Sequence, residues 1–297
     1  MAATDPIPST FSRLDRLGTV ASTNDLVRDW LAAGVPEVCV AVADEQSAGR
    51  GRMGRAWSAP AGTALLLSAG FRPAWIEPDR AWRLGATVAL AMSDAGEEVA
   101  GLPEGSIRLK WPNDLVVERL GPHALLAGIH SASDALARLS GPLELRKLAG
   151  VLGESTGLGT DDPQVVVGIG INADWAAADF PPELDGSMTS LREASAGRPI
   201  DREALLVSFL EHLDARLEAL RAGFFDHATW TGRQALTGCR VALEGYGRMP
   251  DEAVIVDGVD AASGALVVHA ADDPADAVPV LVHAGEVVRV LLAGAGV

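Results

Sequence analysis

Lysine is almost missing from this sequence. Of its 24 basic residues, 22 are arginine and only Lys110 and Lys147 are lysine. Where any surface cation suffices the chain uses arginine, so the two lysines mark positions that call for a compact ammonium rather than a planar fork. Cysteine is as scarce. Cys39 and Cys239 sit in short β-like runs with no second ligand or redox partner nearby, and both read as buried apolar residues. The closest histidine pair, His123 and His130, matches no zinc spacing.

No apolar run approaches the roughly 18 residues of a membrane span. The opening MAATDPIPST has neither a basic start nor an apolar stretch, so it does not read as a signal peptide, and a cytoplasmic protein is expected. Positive charge is in deficit, 24 basic residues against 40 acidic giving −16. Proteins that grip nucleic acid neutralise phosphates with basic surface, so neither a nucleic-acid nor a membrane partner is expected.

What is present is apolar content, 48% over 297 residues, enough for a large domain and a small one. Patterning predicts a first strand ending near residue 20, then a short helix capped by Ser22 or Thr23 and stopped at Gly34. Strands are expected at 38–43, 63–71, 107–111, 148–152 and 164–171, with a helix over 79–100. The clearest helix is 201–221. Asp201 can cap it, Leu206, Phe209, Leu210, Leu213, Leu217 and Leu220 line one face, and Gly223 ends it. After Gly238 come five short β-like runs, the pattern of a small β-barrel. The expected division is 1–235 and 236–297. Helices and strands mix without regular βαβ spacing, which makes the larger part α+β; GIGIN lacks the full dinucleotide-binding glycine pattern.

The most informative segment is DEQSAGRGRMGRAW, residues 44–57. Gly49, Gly51 and Gly54 let the backbone approach an anion, and Arg50, Arg52 and Arg55 supply forked donors for carboxylate and phosphate oxygens. An RNA-binding arginine–glycine segment is the bland alternative, disfavoured by the acidic chain and the single copy. LKWPNDLVV places Lys110 just before Trp111-Pro112, with Asn113 and Asp114 projecting at a strand break. RKLAGVLGES sets Lys147 at the start of a strand among small apolar neighbours, where it would be partly desolvated and seek an anion. STND alone is a helix cap, and VVVGIGINAD alone is a buried strand ending in a glycine turn.

In this order, STN, QxAGRGRxGRxW, KWPND, KxAGxLxE and VxGIGIN resemble the catalytic domain of biotin–protein ligases, from about residue 15 to 235. The tail resembles that family's SH3-like C-terminal domain. The resemblance implies a mixed sheet flanked by helices, related to class II aminoacyl-tRNA synthetases. It implies ATP and biotin as substrates with Mg²⁺, and as partner the biotin carboxyl carrier domain of an acyl-CoA carboxylase. Ser22, Thr23, Asn24 and Gln46 would surround the ureido ring of biotin, with Arg50, Gly51 and Arg52 in a loop closing over it. Lys147, Arg52 and Lys110 would carry the chemistry, Lys147 against the reacting carboxylate. Arg55, Lys110, Asn113 and Asn172 would meet the nucleotide, and Asp114 the metal.

Two features depart from the family pattern. An insert of about 28 residues, 118–145, lies between KWPND and KxAG where a short hairpin is usual. The sequence also opens almost at the catalytic domain, so the helix-turn-helix of members that double as repressors is not expected. The alternatives are a lipoate or octanoate ligase of the same fold and a biotin-sensing regulator without ligase activity.

Overall fold

The structure is a computed structural model that describes residues 10–118, 144–244, 253–270 and 278–291. Its centre is a seven-stranded sheet in the order β1-β2-β3-β7-β6-β5-β4. The strands are β1 (Arg13–Val20), β2 (Cys39–Gln46), β3 (Ala64–Phe71), β4 (Ile107–Lys110), β5 (Asp114–Glu118), β6 (Leu145–Thr156) and β7 (Gln164–Asn172). Only β1 and β2 run parallel; every other neighbouring pair is antiparallel. This is the mixed sheet expected.

Helices cover both faces because the strands alternate. Helix α1 (Thr23–Ala32) buries Val27, Trp30 and Leu31 against Cys39, Ala41 and Val166. On the opposite face α2 (Trp82–Ala100) packs beneath Val40, Val42, Leu65, Leu67, Val165 and Val167. The short α3 (Leu191–Ala194) precedes α4 (Arg202–Arg221), whose buried leucine stripe joins the same core; Asp201 accepts from the N–H groups of Glu203 and Ala204, as predicted. Among the described residues no helix is long and apolar enough to cross a membrane.

Several expectations change. Ser22 occupies the N-cap of α1 but its side chain makes no capping bond. Helix α2 starts at Trp82, after a 3₁₀ turn at Pro78–Arg80 where proline fixes the entry. The break at Trp111–Asn113 is a hairpin turn from which β5 continues, and α5 (His227–Gly232) was not foreseen. The glycines of GIGIN make no turn; they lie within β7. Cys239 is half-buried rather than buried. His123, His130 and most of the long insertion lie outside the described residues, but the strands that flank it, β5 and β6, pair directly.

A second, antiparallel sheet has the order β11-β10-β9-β8-β12, from β8 (Arg240–Glu244), β9 (Ala253–Val259), β10 (Leu266–Ala270), β11 (Val280–Val282) and β12 (Glu286–Leu291). It fits a small barrel-like unit, although no ladder joins β11 to β12 among the described residues. Trp111 of the KWPND turn is part of its core, with Leu236, Val241, Leu243, Val254, Leu266 and Val282, and its indole N–H donates to the Gly264 carbonyl (3.3 Å). The turn that carries Lys110 and Asp114 is thereby anchored in the second sheet.

Candidate active site

The α1 face of the sheet carries a cleft where the middle of β7 has no side chains. A Cβ on Gly168 would fall 2.1 Å from Asn24 Oδ1, and one on Gly170 would fall 2.6 Å from Trp57 Nε1. The glycines exist so that Asn24 and Trp57 can lie flat on the strand. Gly150 on β6 does the same, its absent Cβ 3.3 Å from the Trp57 ring and 3.4 Å from Lys147 Nζ. Every residue nominated from sequence lines this cleft except Asn172. Asn172 is buried at the end of β7, where its amide donates to the Thr189 carbonyl (2.9 Å).

One end of the cleft is polar and neutral. Gln46 Oε1 accepts from the Thr23 N–H (2.8 Å) and the Thr23 hydroxyl (3.1 Å), which leaves Gln46 Nε2 as a donor. Ser68, fully buried on β3, lies 2.7 Å from the Thr23 hydroxyl and 2.6 Å from Asn24 Oδ1. Ser68 escaped the sequence reading because a lone serine in an apolar run carries no signal.

The other end is cationic. Lys147 Nζ pairs with Asp114 Oδ1 (2.6 Å) and stands 5.5 Å from the centre of the Trp57 ring. As expected, Lys147 is partly desolvated, its side chain 39% exposed, and its anionic partner is Asp114. Burial bears on Lys110: desolvation pushes its pKa below the ordinary value, Asp114 and Glu286 oppose that, and Lys147 and Arg55 reinforce it. Asn113 donates to the Val151 carbonyl (3.0 Å), holding the turn to β6.

The glycine–arginine loop bridges the two ends. Its base is closed by the Trp57 N–H on the Gly49 carbonyl (2.9 Å) and the Gly51 N–H on the Arg55 carbonyl (2.7 Å). At its tip Met53 takes φ +56° and Gly54 φ +74°. Arg50 reaches Asp25 on α1 (2.6 and 2.8 Å), Arg55 reaches Glu286 on β12, and Arg52 makes one long bond to the Gly285 carbonyl (3.4 Å). Glu286, Asp25 and Glu154 were not nominated, because their roles depend on contacts distant in sequence. Among the described residues no group of three or more His, Cys, Asp or Glu converges as a metal centre.

Residues 18–172 match the model of the Biotin/lipoate A/B protein ligase family. The biotin–[acetyl-CoA-carboxylase] ligase of Mycobacterium tuberculosis is 32% identical over 239 residues, 80% of this chain and 76% of that protein. The chain belongs to this family. A further ligase-family relative, the bifunctional ligase/repressor BirA of Escherichia coli, is 32% identical over 202 residues, 68% of this chain but only 52% of BirA. The chain thus spans about half the length of that relative. Among solved ligase structures, the biotin protein ligase from Aquifex aeolicus in complex with biotin and ATP superposes with a TM-score of 0.68 at 25% identity, covering 93% of this chain and 97% of that one.

Proposed function

We propose that this chain is a biotin–protein ligase that makes biotinyl-5′-AMP and pyrophosphate from biotin and ATP, then transfers biotin to a lysine of a carboxylase carrier domain. One observation carries the reading: a single cleft joins a neutral donor–acceptor cluster to two lysines and a glycine–arginine loop. The ureido ring of biotin offers two N–H donors and a carbonyl acceptor, and Ser22, Thr23, Asn24 and the free amide of Gln46 can meet both kinds.

In the first step a biotin carboxylate oxygen attacks the α-phosphorus and pyrophosphate leaves. Both reactants are anions, so the barrier is dominated by repulsion that fixed cations relieve. In this reading Lys147 meets the carboxylate and Lys110 the phosphates; partial desolvation strengthens the field of Lys110. In the second step the carrier lysine amine attacks the acyl carbon and AMP leaves. Arg52, the least engaged of the loop arginines, is free to turn onto the anhydride and keep water out. Arg55 and Asn113 complete the nucleotide side of this assignment; Asn172, buried against Thr189 and outside the cleft lining, takes no part in it.

Mg²⁺ fits as a guest of the nucleotide rather than of a protein cage, since Mg²⁺ commonly takes one or two carboxylates plus substrate phosphates. Asp114 is the carboxylate that would hold it, and the ion would neutralise phosphate charge. The carrier domain as partner, the cytoplasm as location, and a division after residue 235 belong to the same proposal. The Ala235 N–H still bonds Leu109 on β4, whereas Leu236 packs in the second core.

The test is ATP–pyrophosphate exchange with biotin, lipoate or octanoate as the acid. Exchange with biotin alone is expected. Exchange with lipoate or octanoate instead would establish the alternative ligase, and no exchange with any acid would leave a binding protein.

A further inference from the structure

Four charged side chains close a ring beside the neutral end of the cleft, and the reaction uses only one of them. Arg50, from the loop, forks onto Asp25 (2.6 and 2.8 Å) and stands 3.5 Å from Glu154. Arg28, one turn along α1 from Asp25, donates to Asp25 (2.8 Å) and to Glu154 (3.0 Å). Two carboxylates and two guanidiniums alternate, so removal of either carboxylate leaves a cation without its partner. Glu154 has a further contact, accepting from Asn24 Nδ2 (2.7 Å). Asn24 Oδ1 faces Ser68 (2.6 Å), so both ends of the carboxamide are fixed and it cannot flip.

The ring joins three separate elements: α1, the loop and β6. Its side chains are 33 to 42% exposed, and ion pairs at that exposure add little to global stability. What they supply is geometry. Asp25 is held below the usual carboxylate range, first by its bonds to Arg50 and then by Arg28, so the ring is intact at neutral pH.

We propose that Asp25 and Glu154 are positioning residues that hold Arg50, and with it the glycine–arginine loop, against the biotin end of the cleft before ligand arrives, Glu154 also setting the orientation of Asn24. This rests on the assignment of that end to biotin. A loop ordered in advance loses less conformational freedom on binding, and an amide set in one orientation presents one hydrogen-bonding face. Both effects act on ligand affinity and leave the reacting end, with Lys147 and Lys110, untouched.

The experiment compares Asp25→Asn, Glu154→Gln and the double variant with the unaltered protein. Each single change should raise the KM for biotin about tenfold, the loss of roughly one charge-assisted hydrogen bond. The turnover number should stay within about twofold. Because both residues act through one ring, the double variant should cost less than the product of the two. A second readout needs no activity. Trypsin must take the Arg50 guanidinium into its own pocket, so cleavage after Arg50 in ligand-free protein should accelerate once Asp25 or Glu154 is neutralised. Unchanged KM with unchanged cleavage overturns the proposal. A fall in turnover at constant KM, or a collapsed thermal midpoint in Asp25→Asn, overturns it in favour of a catalytic or structural role. Should the unaltered protein give no exchange, the biotin assignment fails, while the cleavage rates still decide whether the ring tethers the loop.

Discussion

Arg55 and Glu286, 231 positions apart, form a two-pronged ion pair with both bonds at 2.5 Å. The pair ties the far end of the glycine–arginine loop to the first residue of β12, as Arg50 and Asp25 tie its near end to α1. Arg55 is the chief reason that Glu286 titrates below the ordinary glutamate range, with Lys110 and Arg52 adding to it. The second sheet therefore contributes a side chain to the cleft and fastens the loop that covers it.

Glu286→Gln should loosen that fastening without unfolding the protein. The pair is partly exposed, 63% for Arg55 and 26% for Glu286, so its share of global stability should not exceed about 1 kcal/mol. The expected result is faster escape of biotinyl-5′-AMP and more labelling of bystander lysines, with the thermal midpoint moved by no more than a few degrees. Retention equal to that of the unaltered protein would mean that the contact is incidental.

Lys110 gives a pH dependence with a definite sign. Desolvation lowers its pKa from 10.5, so the ammonium proposed to face phosphate is lost earlier than from a free lysine as pH rises. Adenylate formation should fall through the alkaline range with a midpoint below 10.5. The linkage runs the other way for stability: the unfolded chain holds the proton longer, so this group's contribution to folding increases across the same window. Activity lost without a falling thermal midpoint marks Lys110 rather than alkaline unfolding. Lys110→Arg, always protonated, should flatten the profile at a lower plateau; an unaltered profile would remove Lys110 from the step.

Much of this was legible in the chain because local chemistry wrote it. Asp201 caps α4 through bonds to residues two and three positions on, and the leucine stripe of α4 follows from helical period. The scarcity of lysine singled out Lys110 and Lys147, and both line the cleft. What stayed hidden depends on tertiary contact. Nothing next to Glu154 announces Asn24, Arg28 and Arg50, and nothing next to Glu286 announces Arg55. The desolvation of Lys110 stayed hidden for the same reason. Gly150, three residues after Lys147, leaves space for Trp57, whereas the charged neighbours of the desolvated Lys110 include Lys147, Glu286 and Arg55, all distant in sequence.

The strand glycines offer a separate test of packing. Gly170→Ala keeps an ordinary strand backbone but places a methyl 2.6 Å from Trp57 Nε1. Trp57 Nε1 is buried with no hydrogen-bond partner among the described residues, so the ring has no polar anchor and must move. Overpacking of this kind costs about 1–3 kcal/mol. The variant should fold with a lowered midpoint and lose most adenylate formation, because the displaced ring crowds Lys147. Normal exchange would show that the close fit of Trp57 over β7 does not matter for turnover.

Lys147→Arg keeps the charge and should still cripple the first step. Lys147 Nζ sits 2.6 Å from Asp114 Oδ1, beside the face of Trp57 and above Gly150. That slot admits a compact ammonium, which can lie between a carboxylate oxygen and an incoming phosphate. A planar guanidinium is wider and extends further from the strand. It must either push Trp57 off Gly170 or lean across Asp114, and each outcome shifts a reacting group. Misplacement by about 1 Å can cost on the order of a hundredfold in rate. The fold should survive, since the side chain opens into the cleft rather than the core, and its pairing with Asp114 can be remade by arginine. The comparison is ATP–pyrophosphate exchange and thermal midpoint in the two proteins. Near-normal exchange in the variant would sink the role given to Lys147, and a collapsed midpoint would make the residue structural.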